Sequence, residues 1–453
     1  MPRWIRLVAP AAFAMLAGGM TLAAMTAPRV TFTDTKLKNG LRVIISEDHT
    51  APVYSIAVTY NVGSRDERKG RTGFAHLFEH MMFKGSEQVG PGEHFTLVFN
   101  NGGTMNGTTN KDRTLYFETL PANQLDLGLF LEADRMWSLD ITKENLDNQR
   151  NAVQEERRLG LDNQPYGRTF ELIDELAYEN PAYEHSVIGS MADLSAATVE
   201  DVSAFFKTYY APNNAVVTIV GDVKTAEVLE KMKKYFERIP SQPAPAPVDM
   251  TEPPQTAERR QTIDDALARL PRVDIAWHTP AALAPDDDAL TVLAAVLSSG
   301  RSSRFYDNIV RLKQLSSGVG ASAADTRGPG LFTVGATALP GKNVAELEQA
   351  IYAEIEKVKT EPIAGWEIEK ARNNWKRNAV SALGSSLQRA ITLGRYALFW
   401  NDPDLINTYP DRIAKVTAAD VQRVAKQYFV ATNRTVVTTM NKAAAGTNGG
   451  GSW

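Results

Sequence analysis

The chain has 453 residues, 43% hydrophobic and 23% charged, with a formal net charge of -4 and a pI near 6.0. That length predicts two domains of roughly 200 residues, and the mild acidity gives no electrostatic case for nucleic acid or an anionic membrane as partner. Cysteine is absent, which excludes disulfides, thiolate metal sites, a cysteine nucleophile and a lipidated N-terminal cysteine.

Residues 1–27 read as an export signal. Arg3 and Arg6 precede a stretch without charge up to Arg29, and small residues from Ala23 to Ala27 offer a cleavage site. The expected location is periplasmic or secreted, with no membrane contact once the signal is removed. The alternative is an uncleaved anchor, because the uncharged stretch is long enough to span a bilayer. Its Ala, Gly, Thr and Pro content makes it only weakly hydrophobic.

A first domain is expected over 30–238. "TKLKNGLRVIISED" predicts a hairpin turning at Asn39-Gly40, with an alternating β-branched run from Leu41 to Ser46. "VYSIAVTYNVGS" predicts a second strand, and Thr72 to Phe83 a helix with Thr72 as N-cap. "RTLYFETLP" predicts another strand, followed by helices around Leu125–Trp137 and Lys143–Leu159.

Six prolines lie between Pro240 and Pro254. Such a run continues neither a helix nor a central strand, so 239–257 is expected to be a linker. A second domain follows over 258–441, and 442–453 reads as a flexible tail.

"TVEDVSAFFKTYYAPNNAVVT" from Thr198 recurs as "TAADVQRVAKQYFVATNRTVVT" from Thr417. At a constant offset of 219 residues, Thr198, Asp201, Val202, Tyr209 and Asn214 match Thr417, Asp420, Val421, Tyr428 and Asn433. Each copy predicts a capped helix, a turn at asparagine and a β-branched strand. The linker between the copies points to duplication. The expected fold is α+β: two duplicated domains, each a mainly antiparallel sheet with helices packed on one face.

The chemistry concentrates in "FAHLFEHMMF". His76 and His80 are two of only six histidines, four residues apart, so a helix projects both imidazoles from one face. Glu79 precedes the second. Histidine with carboxylate, and no cysteine, suits zinc best. A third ligand is sought on "KENLDNQRNAVQEERRLG". At 100° per residue Leu146, Gln149, Ala152, Val153, Glu156 and Leu159 share one side. Glu156 falls near the middle of that stripe, expected to be buried, where an acid needs a cation. Glu155 falls about 100° away and reads as a solvated surface glutamate.

H-x-x-E-H is the inverted zincin motif, and the chain resembles the pitrilysin, insulysin and mitochondrial processing peptidase family. The resemblance covers nearly the whole chain beyond the signal. It implies half of a clamshell peptidase, with the metal in the first domain and none in the second. In that family a glutamate about 76 residues beyond the second histidine completes the zinc site, and here that position is Glu156. The implied cofactor is one zinc ion per chain, held by His76, His80 and Glu156, with Glu79 as general base on water. "NNGGTMNGTTNKDRTLYFETLP" is similar to the family's substrate edge, which implies that Asn106 and Gly107 lie beside peptide substrates added as a strand.

Two departures bear on activity. Active relatives supply from the second domain an arginine and a tyrosine with six residues between them. Here Arg311 takes the first place and Gly318 the second. Gln149 stands where relatives often carry a second acid, as an amide expected to donate a hydrogen bond beside the ligands. A clamshell needs a second half, so the resemblance implies a homodimer, or a heterodimer whose partner supplies the arginine–tyrosine pair. The rival reading is a non-catalytic or partner-dependent subunit.

Overall fold

The structure, a computed structural model, describes residues 29–441. The expected signal and tail lie outside the described residues. In the first half β1 (Thr33–Lys36) and β2 (Arg42–Glu47) form the hairpin expected at Asn39-Gly40. They are followed by β3 (Val53–Tyr60), β4 (Thr104–Thr109), β5 (Thr114–Pro121) and β6 (Ala215–Gly221), in the order β1-β2-β6-β3-β5-β4. The second half builds β7 (Arg259–Asp265), β8 (Arg272–Thr279), β9 (Ser316–Ala323), β10 (Gly330–Ala338) and β11 (Arg434–Asn441), in the order β7-β11-β8-β10-β9.

Apart from β1, which has no counterpart in the second sheet, the two orders are the same once β2 is set against β7 and β6 against β11. Each sheet is antiparallel apart from one parallel pair, β2·β6 in the first and β7·β11 in the second. The repeated residues also make the same bonds. Thr198 accepts from Asp201 N at 3.1 Å and Thr417 from Asp420 N at 3.2 Å. Asn214 donates to Tyr209 O at 2.8 Å and Asn433 to Tyr428 O at 2.9 Å. These are helix N-caps and asparagine-held turns, and their recurrence carries the duplication from sequence into geometry.

One face of the first sheet packs on helices Leu125–Trp137 and Thr225–Phe236 through Leu129, Val228, Met232 and Phe236. The other face is covered too. Ile44, Ala57, Leu115 and Val216 pack on Leu393 and Ala397 of helix Ser386–Trp400, from the second half. Reciprocally, Leu172, Ile173 and Ala177 of helix Gly167–Ala177 cover Ala276, Leu331 and Val437 of the second sheet. Each half lends the other a helix. Gly394 permits the close seat, since a Cβ there would lie 2.9 Å from Thr59 Oγ1.

The sequence reading expected helices on one face and did not anticipate this exchange. Its signal lay in β6, buried at every position, because a strand with two dry faces loses its alternation. For function, the decisive outcome of the order is that β4 is an edge strand whose outer side has no partner strand among the described residues.

Candidate metal centre

The motif helix runs from Phe74 to Met81 and starts later than expected. Thr72 is not its cap, because its N–H and hydroxyl both bond Asp193, at 3.0 and 2.6 Å. Gly73, in the left-handed region with φ 87°, occupies the cap position. Two N–H groups at the helix start are taken by Glu67, which accepts from Gly73 at 2.8 Å and Ala75 at 2.7 Å. A carboxylate at that end also complements the helix dipole. Leu77, Phe78 and Met81 anchor the apolar side, leaving His76 and His80 on the open one.

Helix Lys143–Arg157 lies across the motif helix, with Leu146 and Val153 in the shared core. Its end is fixed by Arg157, which donates to Glu171 and to Gly189 O, both at 2.6 Å. This brings Glu156 Oε2 to 3.4 Å from His80 Nε2 and 3.7 Å from His76 Nε2. The three ligand atoms lie within 4.8 Å of one another.

The expectation that Glu156 sits on a buried stripe is corrected: its side chain is 52% exposed. Ala152 and Leu159 are exposed as well. The stripe holds only through Val153, after which the helix lifts away from the core and loosens into a wider turn over Arg158–Asp162. Glu155 turns outward, as expected, and accepts from Arg158 at 3.0 Å. Glu156 therefore meets the imidazoles at the rim of the core, open to solvent on one side.

This donor set fits a divalent ion. A tetrahedral ion with bonds of about 2.0–2.2 Å holds its ligand atoms roughly 3.3–3.6 Å apart, close to the spacing of Glu156 from each ring. Burial pushes the His76 imidazole down to about 4, with the neighbouring His80 reinforcing it, and burial lowers His80 likewise. Both rings are thus neutral at pH 7, the form that binds metal. Gln149 is buried against His80, and its contact there favours the protonated ring. Among the described residues the Gln149 amide makes no hydrogen bond to His76, His80 or Glu156, so the donation expected of it is not seen. Its amide N–H donates instead to Asn148, at 2.5 Å.

Glu79 lies between the ligands and β4. Burial pushes its carboxyl up to about 7, against the opposing effect of the Thr109 hydroxyl that donates to it. Gly107 faces it so closely that a Cβ would lie 2.9 Å from both Glu79 Cγ and Oε1. Asn110 N donates to Arg113 O at the hairpin end, so by antiparallel alternation Met105, Gly107 and Thr109 aim their backbone groups off the sheet edge. The outward Gly107 N–H is taken by Asn106 Oδ1 at 2.9 Å.

Residues 42–190 match the family described as insulinase (peptidase family M16), and residues 196–375 match the description "Peptidase M16 inactive domain". The chain is 33% identical to the zinc protease PqqE of Helicobacter pylori over 88% of its own length and 91% of that protein's. The chain belongs to the insulinase family, peptidase family M16. It is also 26% identical to a probable mitochondrial-processing peptidase subunit beta of Arabidopsis thaliana, over 87% of this chain and 76% of the other. The crystal structure of a protease from Helicobacter pylori superposes with a TM-score of 0.86 at 32% identity, covering 90% of this chain and 99% of that one.

In this M16 chain the second-half residues expected near substrate stand differently. Arg311 is exposed and ion-paired with Asp307 one helical turn away. Gly318 lies exposed on β9, the edge strand of the second sheet, where a Cβ would meet nothing within 4 Å. Helix Asp287–Ser298 of the second half is apolar and holds no histidine.

Sequence reasoning missed Thr109 and Glu67, and with them a buried group behind β4. His94 bonds Glu118, and Glu132 forks onto Arg135, whose guanidinium lies over the Phe83 and Tyr116 rings. His94, Glu118 and Glu132 stand at metal-ligand spacing, but Glu132 is already ion-paired with Arg135 and Glu118 is already bonded by His94. No local motif marks these residues, since they are scattered over two helices and a strand.

Proposed function

We propose that the chain is a zinc-dependent endopeptidase, hydrolysing peptides or unfolded segments that add as a strand to β4. The observation that carries this reading is the convergence of His76 Nε2, His80 Nε2 and a Glu156 carboxylate oxygen beside the buried Glu79. When bound there, zinc would polarise the scissile carbonyl and acidify water.

The chain's own groups do the rest. Glu79 takes the proton of the attacking water on its carboxylate and passes it to the leaving amine. Thr109 and Gly107 hold that carboxylate against the edge strand, so an amide paired to β4 is presented to it. Backbone pairing with Met105, Gly107 and Thr109 is indifferent to side chains, which suits unfolded substrates. Asn106 releases Gly107 N–H to the incoming strand.

Export by the N-terminal signal, and the division into two domains, a linker and a tail, belong to the same proposal. So does a homodimer or heterodimer that completes the substrate chamber. A partner-dependent subunit is the second reading, favoured by Arg311 being engaged with Asp307 and by the empty space beside Gly318.

Metal analysis of the purified chain and hydrolysis of a quenched peptide, with and without chelator, test the proposal. One zinc per chain and chelator-sensitive cleavage are expected. Glu79→Gln should keep the metal and lose hydrolysis by at least about 10²–10⁴-fold. A metal-free chain, or a Glu79→Gln variant of full activity, refutes it.

A further inference from the structure

At the end of the β4–β5 hairpin a groove of about 910 Å³ opens between the two halves. One wall is Asn110 and Arg113. The other comes from helices Gly365–Leu383 and Ser386–Trp400, with Trp375, Lys376, Arg395 and Phe399. Its charges are unevenly satisfied. Arg395 is ion-paired with Asp325 across the groove wall, while Lys376 has no ion-pair partner among the described residues. Arg113 donates through Nη1 alone, to Thr108 O at 2.9 Å and Thr108 Oγ1 at 2.7 Å. Its Nε and Nη2 have no hydrogen-bond partner among the described residues. Against these two cations the wall sets one unpaired acid, Asp411.

A guanidinium has five donors in a fixed fork that matches a carboxylate, and this one is anchored to the edge strand by half of that fork. Thr108 lies between Gly107 and Thr109, the two residues that hold Glu79. A strand rises about 3.3 Å per residue. A peptide lying on β4 across Glu79 therefore reaches the groove within roughly two to four residues of the amide facing that carboxylate. Trp375 and Phe399 offer apolar cover for the stem of the side chain that enters.

We propose that this groove is a specificity subsite that takes an acidic side chain of the peptide, Asp or Glu, two to four residues from the cleaved bond, with Arg113 as the anchoring cation and Lys376 supporting it. The inference rests on the peptidase reading of the metal centre but concerns which peptides are chosen.

The test uses the full chain with its metal and a set of quenched peptides in which Glu, Gln or Lys is placed at each position up to five residues on either side of the cleaved bond. At one position in the two-to-four window kcat/KM for Glu should exceed Gln by about tenfold, the size of one charge-assisted bond, and Lys should be poorer than Gln. In Arg113→Gln the Glu:Gln ratio should fall to about one, and in Arg113→Glu the order of Glu and Lys should reverse. Equal rates for Glu and Gln at every position, or a Glu preference that survives Arg113→Gln, overturn the proposal. Affinities of the same peptides for Glu79→Gln separate it from the catalytic reading. If no peptide is cut but Glu peptides bind about tenfold tighter through Arg113, the subsite stands and the peptidase reading fails. If no peptide is cut or bound, both fail.

Discussion

Gly107→Ala isolates the contact on which the general base depends. The glycine lies in β4 and its backbone is not in the left-handed region, so alanine adds no backbone strain and should stiffen the strand by about 0.5–1 kcal/mol. The new Cβ, however, would sit 2.9 Å from Glu79 Cγ and Oε1 and 3.2 Å from Cδ. Ordinary carbon contacts lie near 3.5–4.0 Å, so the carboxylate must retreat by about 0.5–1 Å. It cannot do so freely, because Thr109 holds the other oxygen. A displacement of about 1 Å in a reacting group costs roughly 10²-fold in rate, or about 2.7 kcal/mol of barrier.

The His76, His80 and Glu156 donor atoms are untouched by that Cβ, so metal affinity should hold. The expected pattern is thus kcat down about 100-fold, zinc content unchanged, and thermal stability unchanged or slightly higher. Steady-state kinetics, metal analysis and a melting curve on one preparation read all three. Wild-type kcat in Gly107→Ala would show that the position of Glu79 against β4 does not govern the reaction, and loss of zinc would show that Gly107 serves the metal ligands instead.

The pH behaviour follows from two opposite shifts. His76 is lowered to about 4, so it stays unprotonated and ligand-competent well below the ordinary histidine range; zinc affinity from chelator competition should hold down to about pH 5, and a steep fall through pH 6–7 would contradict this. Glu79 is raised to about 7 by burial and must be ionised to act; kcat/KM should therefore rise with pH on its acid limb, with a midpoint at or below about 7 because a bound dication favours the charged form. Asp112, in the β4–β5 turn, accepts from Arg65, Tyr183 and Arg327 N at 2.8, 2.8 and 3.0 Å and thereby ties the hairpin to both halves. Asp112→Ala leaves the buried Arg65 with only the longer Asp66 ion pair at 3.5 Å and strips Tyr183 and Arg327 N of their acceptor, and should cost about 2–4 kcal/mol in denaturant unfolding; a loss under 1 kcal/mol would refute the tie. Removing the Glu67 carboxylate in Glu67→Ala should cost about 2–4 kcal/mol, because two N–H groups at the start of the motif helix lose their acceptor, and stability unchanged on a melting curve would contradict that account.

Much of the site was legible before any coordinates. The i, i+4 spacing of His76 and His80 forces a common face on any helix, and a local period of that kind does not depend on the rest of the chain. The duplication was equally legible, because matched caps and turn asparagines are local devices that repeat wherever the same residues recur. Glu156 was named both by the spacing that the family resemblance implies and by a stripe argument whose premise fails: the carboxylate is half-exposed at the rim, and helical phase cannot report where a helix leaves its core. Gln149 was placed beside the ligands, but the partner its amide takes, Asn148, is set by packing.

What the residues alone determined is local chemistry: the histidine pair, the acid beside it, the strands and turns of each half, and the absence of thiol chemistry. Where the Glu156 helix leaves its core, which helix covers the far face of each sheet, and which side chains meet around Arg113 were decided only by tertiary packing. The physical reason is range. Periodicity and capping act over a few residues, whereas edge position, helix exchange and the Arg113 groove arise from contacts between segments hundreds of residues apart, which no local pattern encodes.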